Sequence, residues 1–399
     1  MQHSLRSQAS LDEVFSPSTP VSTESYFVGR YHELQALLQA IYERGKHILL
    51  YGDRGVGKTS LANIMTAKCQ AKNKDISIYK SSAIYAMDFD EIWTSLLEQV
   101  DDSRLLETIE KRGKRKFDVR SLVTLFSKVW RPIVFIIDEF DIATQKEDNK
   151  KKFALLTKAL SDSCPHITLV FIGVASNANE LVDLHASLER CLVEFHLPRM
   201  QEREILDLLE GGGRKVGLNF QEEVKKQIVS YSVGYPYFAH LLAKHCCEHA
   251  VSLHYNAVTL QNFREGLKSA ITSSKTLLKK QMQKAVTIKN PLYRELLMLT
   301  ANQDDENINT EDLKKHISKR DTRLSFYLSQ LTQKKRGEVL EKVSQKEGEV
   351  TYRFKSPLLR TYLRMEMEKE NIEAKTKPSS PHFSSTPKPS RSSFNVKKF

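Results

Sequence analysis

The chain has 399 residues, 40% hydrophobic and 28% charged, which suffices to bury a sizeable core divided into two or three units. No run approaches the roughly 18 to 20 uncharged apolar residues of a membrane span, and the start "MQHSLRSQASLDEVFSPSTP" lacks a signal peptide's apolar centre, so a cytoplasmic protein without membrane contact is expected. A net charge of +12 favours polyanions, nucleic acid above all, and five scattered cysteines without a CxxC pair fit a reducing compartment.

Residues 1–24 are rich in Ser, Thr and Pro without periodicity and read as a disordered N-terminus. Over 25–200, the apolar runs "HILLY", "ISIYKSSAI", "IVFIID", "ITLVFIGV" and "LVEFHL" alternate with helical patterns. Five buried strands with helical crossovers predict an α/β unit, a parallel sheet covered on both faces. Residues 201–287 read as amphipathic helices, a lid ending in a basic linker; 263–289 carries seven basic residues and one acid. In 288–371, three helical stretches precede two short runs joined by "SQKEGE", the pattern of a winged helix. Residues 372–399 read as a disordered basic tail that either brushes a phosphate backbone or is simply solvated.

The chemistry starts at "GDRGVGKT", which matches GxxxxGK[ST] between an apolar strand and a helix. Gly52, Asp53, Arg54, Gly55, Val56, Gly57, Lys58, Thr59 and the following Ser60 form the expected phosphate cradle. Backbone N–H groups at a helix N-terminus meet the phosphates, Lys58 neutralises their charge, and Thr59 ligates Mg²⁺. "IVFIIDEFD" supplies the second half: Asp138 ends a strand facing the loop and holds Mg²⁺, and Glu139 orients or deprotonates the attacking water. After the fourth strand, Ser176 or Asn177 either senses the γ-phosphate or caps a turn.

With these boxes, residues 26–365 resemble the AAA+ ATPases, in particular the origin-recognition and replication-initiator clade. The resemblance implies a P-loop parallel five-stranded sheet, a helical lid, a C-terminal winged-helix domain, ATP and Mg²⁺ as cofactors, and ATP hydrolysis. "YFVGRYHEL" resembles the family's N-terminal box, which assigns Val28, Gly29 and Arg30 to the adenine. "HASLERCLVEFHLP" resembles the arginine-finger segment, so Arg190 either completes a neighbouring subunit's site in an oligomer or salt-bridges on the surface. The lid departs from the clade: "VGYPYFAHLLAKH" has no sensor arginine, and its Gly234 and Pro236 resemble the Gly-x-Pro of signal-transducing STAND ATPases. "HCCEH" (His245 to His249) has zinc-compatible spacing without a third ligand, and helical packing is the preferred reading.

Two functions follow. The leading one is an initiator- or loader-like ATPase that binds double-stranded DNA through its winged helix. The contacts would be Arg323, Ser325, Ser329 and Gln333 on the third helix, and Lys334, Lys335, Arg336, Lys342 and Lys346 around it. The winged unit's net charge of only +3, from 17 basic and 14 acidic residues, keeps the alternative open: a signalling switch whose winged helix docks a separate effector protein.

Overall fold

The computed structural model describes residues 11–83, 87–112, 116–175, 177–180, 186–274, 276–286, 291–303, 307–308, 310, 313, 323–344 and 350–376. Residues 11–14 are helical (α1), and α2 spans Tyr31–Tyr42. There follow β1 (His47–Gly52), α3 (Lys58–Lys72), β2 (Ser77–Ser82), α4 (Phe89–Leu97), α5 (Ser103–Arg112) and α6 (Val119–Phe126). β3 (Ile133–Asp138), α7 (Phe140–Ala143), α8 (Glu147–Ser163), β4 (Ile167–Val174), α9 (Ala186–Glu189) and β5 (Leu192–His196) complete the first unit. All five predicted strands form, paired in parallel in the order β2-β3-β4-β1-β5.

Period-two alternation divides the strand side chains between two cores. Ile48, Leu50, Val134, Ile136, Val170 and Ile172 pack against Leu34 and Leu37 of α2 and Leu61 and Ile64 of α3. Leu49, Phe135, Ile137, Leu169 and Phe171 meet Trp93 of α4, Leu122 of α6 and Phe153 of α8 on the other face. Because β1 lies inside the sheet between β4 and β5, its C-terminal end opens where the strand order reverses, the place where such sheets bind ligands.

The lid comprises α10 (Glu202–Lys215), β6 (Asn219–Phe220), α11 (Glu222–Ser232), α12 (Pro236–Ser252), β7 (Ala257–Val258) and α13 (Leu260–Ser273), followed by α14 (Thr276–Val286). The parallel pair β6–β7, two residues each, is too short to leave an alternation signal. Pro236 starts α12, where its missing N–H is not needed. Gly234 (φ 74°) is required for two reasons: the left-handed backbone, and a Cβ there would sit 2.5 Å from the Met200 carbonyl oxygen.

Beyond the lid lie α15 (Leu292–Asn302), α16 (Leu324–Leu331), an antiparallel hairpin β8 (Leu340–Ser344) and β9 (Val350–Phe354), and α17 (Pro357–Thr376). Ile308 bridges to Tyr352 and extends the hairpin edge. Leu358, Leu359, Tyr362 and Leu363 of α17 join the same apolar cluster as the lid, so this unit shares a core with it. The expected boundary at 287–288 lies outside the described residues.

Two expectations of disorder are corrected. Residues 11–24 are packed: Leu11, Val14 and Phe15 are buried, Phe15 lies edge-on to Phe220, and Asp12 pairs with Lys244 of α12. Three apolar anchors are enough to hold a polar Ser/Pro segment in place. At the other end α17 runs on to Thr376 with Ile372 buried, so 372–376 are helical; 377–399 lie outside the described residues.

His47 is buried at the start of β1, and its Nδ1 accepts the Leu169 N–H at 3.0 Å. Burial lowers its pKa from 6.5 to about 4. The unfolded chain therefore takes up a proton below pH 6.5 that the folded chain refuses until about pH 4, and stability is lost across that window as pH falls. His47→Asn keeps an acceptor without the titration. Urea unfolding between pH 7.5 and 5 is expected to show a pH slope smaller than wild type by up to about 1.4 kcal/mol per pH unit.

Candidate nucleotide-binding site

β1 delivers Gly52 to the sheet edge, and the chain turns through Gly55 (φ 89°) and Gly57 (φ 98°) into α3. Left-handed backbone at these positions suits glycine alone, and the loop so formed directs the free N–H groups of α3 at its own concavity. Lys58, 8% exposed, donates from Nζ to the carbonyls of Gly52 and Asp53, both at 2.8 Å. Burial lowers its pKa to about 8, while the carboxylates of Asp141, Asp138 and Asp53 pull the other way. Lys58 thus places an ammonium in a cavity of about 340 Å³ that Arg54, Gly55, Val56, Gly57, Thr59 and Ser60 also line.

Asp138 is buried at the end of β3; its Oδ1 accepts the Glu139 N–H at 2.9 Å and its Oδ2 pairs with Lys80 Nζ at 3.1 Å. Lys80, on β2, also donates to Asn63 of α3 at 3.0 Å. A buried carboxylate already holding a cation, with the Thr59 hydroxyl lining the same cavity, fits the oxygen-donor chemistry of Mg²⁺. Glu139 lines the cavity at φ 54°, a left-handed conformation that strains a non-glycine residue by about 1–3 kcal/mol and recurs at functional sites. Asp141 lines it too, with its Oδ1 held by the Val174 N–H.

Tyr26, Phe27, Val28, Met200, Leu208 and His240 line the cavity too, and Tyr237 lines it next to the loop, with its Cβ 3.6 Å from where a Cβ on Gly55 would lie. Gly29 (φ 71°) and Arg30 (φ 60°) turn the chain into α2, and the Arg30 N–H is accepted by Glu204 of α10 at 2.8 Å. Arg30 also donates to Glu33 and to the Pro198 carbonyl, so its guanidinium braces core to lid; Gly29 packs against Glu204 and does not itself line the cavity. Residues 16–21 cross the cavity mouth, with the Val21 N–H held by Ser60 Oγ at 3.0 Å. That bond engages Ser60 with the N-terminal strap, a contact the motif does not foretell.

The lid reaches the loop directly. Asp53 Oδ2 accepts from Tyr235 Oη at 2.7 Å and from Arg199 Nη2 at 3.2 Å, and the Arg199 guanidinium lies 4.7 Å from the Tyr235 ring centroid. Pro236 lines the cavity; Gly234 instead supports the turn that presents Tyr235. Tyr235 is the middle residue of the Gly-Tyr-Pro segment, and neither it nor Arg199 carries a signal in the sequence beyond that position.

Other expected positions fall outside the cavity. Of its two expected roles Asn177 takes up the turn cap in this structure: its amide caps the turn at Ala178–Glu180, accepting the Glu180 N–H and donating to the Glu180 carboxylate at 3.1 Å. The short polar side chain finds its partner locally; Ser176 lies outside the described residues. Arg190 sits on the surface, paired with Asp162, away from the cavity of its own chain. His245 bonds Glu248 and Ser273, and His249 bonds Ser269, so both imidazoles are engaged within the lid. Among the proposed DNA contacts, Ser325, Lys334, Lys335 and Lys342 are exposed, as is Arg323, which lies 6.0 Å from the Tyr327 ring; Ser329 and Gln333 are half-buried. Arg336 is a correction, since its guanidinium lies 4.1 Å from the Tyr293 ring centroid with a buried Nη1 and so packs inward; Lys346 lies outside the described residues.

Residues 20–346 match the sequence model of the family described as Novel STAND NTPase 1. Among solved structures, the chain is similar to the Walker-type ATPase paby2304 of Pyrococcus abyssi, with a TM-score of 0.55 and 17% identity over 88% of this chain and 99% of that one. It is also similar to the Aeropyrum pernix ORC1 protein solved in complex with DNA, with a TM-score of 0.50 and 15% identity over 90% and 97% of the two chains. These likenesses establish the P-loop AAA+ fold. No curated protein matches the chain. Among the described residues no helix is long and apolar enough to cross a membrane.

The Lys80–Asp138 pair makes Lys80 a competitor for the carboxylate expected to hold Mg²⁺. Lys80→Met is expected to lower the Mg²⁺ concentration that half-saturates nucleotide binding several-fold, the equivalent of the ~1 kcal/mol of a partly exposed ion pair. A Mg²⁺ titration monitored with a fluorescent ATP analogue reads this, and an unchanged or raised requirement removes Lys80 from that role.

Proposed function

The chain belongs to the Novel STAND NTPase 1 family, and from that membership we propose that it is a Mg²⁺-dependent ATPase working as a nucleotide-controlled switch. ATP occupies the 340 Å³ cavity, with its phosphates on the Gly52–Thr59 loop and Lys58 against their charge. Thr59 and Asp138 hold the metal, which supplies charge neutralisation on the phosphates when bound. Glu139 orients and deprotonates the attacking water.

The observation that carries the switch is the junction at Asp53. One carboxylate oxygen of the phosphate loop bonds both Arg199, at the entry to the lid, and Tyr235, at the start of α12. A ligand that reshapes the loop alters those bonds, and the lid then has two arrangements of different nucleotide affinity. Leu358 of α17 packs against Gly55, where a Cβ would lie 3.2 Å from it, so the C-terminal unit rests on the same loop. We assign that unit as a winged helix, from its helix, bridge, helix and hairpin order. Its release or docking is the output, delivered to a separate effector. Arg190, exposed and remote from its own cavity, serves as the finger only if a second subunit approaches that face, which ties turnover to self-association.

A second reading, DNA binding, has its own observation. The 334–336 turn packs on α14, with Gly337 against Gln281 and Lys284, so exposed Lys280, Lys284, Lys334 and Lys335 share one surface. Such a cluster suits phosphate contacts that position a duplex.

Glu139→Gln is expected to bind ATP normally and lose at least ~100-fold in turnover. Tyr235→Phe is expected to retain nucleotide affinity within a few-fold but erase the difference between ADP- and ATP-analogue states in limited proteolysis of the lid. Identical proteolysis of the wild-type chain in both states defeats the switch reading. For the second reading, Lys334→Glu with Lys335→Glu is expected to abolish salt-sensitive duplex binding; no duplex binding by the wild type at low salt ends it.

A further inference from the structure

We propose that Arg54, a residue of the phosphate loop itself, binds the terminal phosphate of ATP and stabilises its transfer to water, as an arginine finger supplied by the same chain. The inference rests on the hydrolysis reading above and adds the cation that the chemical step uses.

Among the described residues, three Lys and Arg side chains line the nucleotide cavity: Arg30, Arg54 and Lys58. Arg30 is buried and its guanidinium is taken by Glu33 and the Pro198 carbonyl, while the Lys58 ammonium is turned onto the carbonyls of Gly52 and Asp53. Arg54 is exposed, and among the described residues no hydrogen bond or ion pair holds it. Its charge still reaches the loop: together with burial, the larger cause, it holds the Lys58 pKa down. Two like charges thus share one end of the cavity with the free N–H groups of α3. An anion bound there turns their repulsion into two attractions.

The place of Arg54 selects which phosphate it meets. Arg54 and Val174 line both this cavity and a second one of about 980 Å³, which opens between the sheet edge and the C-terminal unit. Val174 ends β4, and its N–H holds Oδ1 of Asp141 at 2.9 Å, two residues beyond Glu139. Arg54 therefore borders the end of the cavity where the proposed base lies, and the attacking water and terminal phosphate meet in front of that base. The second cavity offers it no partner, because the four described carboxylates there are engaged. Asp53 pairs with Arg199, Glu338 with Lys355 at 3.0 Å, and Glu341 with Arg353, and Glu180 bonds Asn177.

A planar guanidinium donates to two oxygens of one phosphoryl group at once. In the proposed step the water oxygen bonds to phosphorus, Glu139 takes the water's proton, and the bridging oxygen leaves on ADP with the electron pair. The charge on the transferred group is then spread in front of Arg54, where an arginine is worth about 10³-fold or more in turnover. Arg190 needs a second subunit to do this; Arg54 needs none.

The test measures ATP turnover and ADP binding by the full chain in excess Mg²⁺, at a dilution where light scattering finds single chains. ADP binding is read with and without aluminium fluoride, which stands in for the phosphoryl group in transit. In the wild type aluminium fluoride is expected to tighten ADP binding at least ~100-fold. Arg54→Ala is expected to lose that gain and about 10³-fold in turnover, while binding ADP alone as the wild type does, which also shows that it folds. Arg54→Lys keeps the charge without the fork and is expected to recover only a fraction of both. An Arg54→Ala chain that keeps the gain and the turnover overturns the proposal. So does one that binds ADP alone more weakly but keeps the gain, the mark of a residue that only shapes the loop. A gain that appears only when chains associate assigns the arginine to a neighbouring subunit and overturns it too. If the wild type binds ADP yet neither hydrolyses ATP nor responds to aluminium fluoride, the hydrolysis reading itself fails, an outcome distinct from turnover that ignores Arg54.

Discussion

Four consecutive residues, Leu197 to Met200, make the close approach on which the rest of the molecule depends. The Leu197 N–H bonds the Tyr51 carbonyl, and a Cβ on Gly52 would lie 2.5 Å from the Leu197 carbonyl oxygen. Pro198 accepts from Arg30, Arg199 pairs with Asp53, and the Met200 N–H bonds the Gly234 carbonyl. One extended segment therefore touches the phosphate loop, the N-terminal box and the lid. Backbone approaching backbone this closely leaves no room for side chains, which is why Gly52 and Gly234 are glycines for reasons beyond their torsions. In the proposed switch this segment is the route by which a shift in the loop would reach the lid, because its neighbours leave little room to absorb one.

The same crossing explains what the sequence made legible. Strands β1, β3 and β4 are buried on both faces, so they are written as unbroken apolar runs that no surface demand disturbs, and all five strands form where those runs stand. The phosphate loop and the Asp138–Glu139 pair are equally plain, because their chemistry depends on residue types at fixed local spacing. Contacts made across long stretches of chain leave no such mark. Lys80 meets Asp138 from a neighbouring strand, Tyr235 meets Asp53 from the lid, and Phe15 of the N-terminal strap meets His240 of the lid across the whole α/β unit in sequence. The strap at 11–24 misleads for a related reason. Its composition is that of a disordered segment, yet Leu11, Val14 and Phe15 find a groove already built by α10 and α12. Asn177 is ambiguous for the opposite reason, since a short polar side chain reads alike as a phosphate contact or a turn cap, and here it is satisfied three residues away.

Charge distribution is arranged around the same loop. Lys58 sits among Asp53, Asp138 and Asp141 with its ammonium turned onto loop carbonyls, and Lys80 neutralises Asp138. Each buried charge thus has an opposite charge or hydrogen-bond partner within the protein, which keeps the cleft foldable without a ligand. In the proposed nucleotide complex, phosphate and metal would replace these internal partners, and the occupied and unoccupied states would differ by a rearrangement of side chains already present. Differential contacts of this kind are what allow a ligand to shift a conformational equilibrium.

Whether such a site is better suited to work or to signalling turns on what opening it requires. The cavity is covered by residues 16–21, walled by α10 and α12, and abutted by α17 at Gly55. A nucleotide leaving it must loosen contacts from three parts of the chain, including the Val21–Ser60 bond and the Phe15 anchor beneath the lid. Glu139, the base of the proposed hydrolysis, is held in a strained conformation, and in that proposal the enclosing contacts would slow product release rather than the chemical step. A motor needs those contacts weak; a switch needs them strong, so that each nucleotide state persists long enough to be read. The shared apolar core of lid and C-terminal unit, continuous through Leu358, Leu359 and Tyr362, is the observation that supports the proposed switch over a motor.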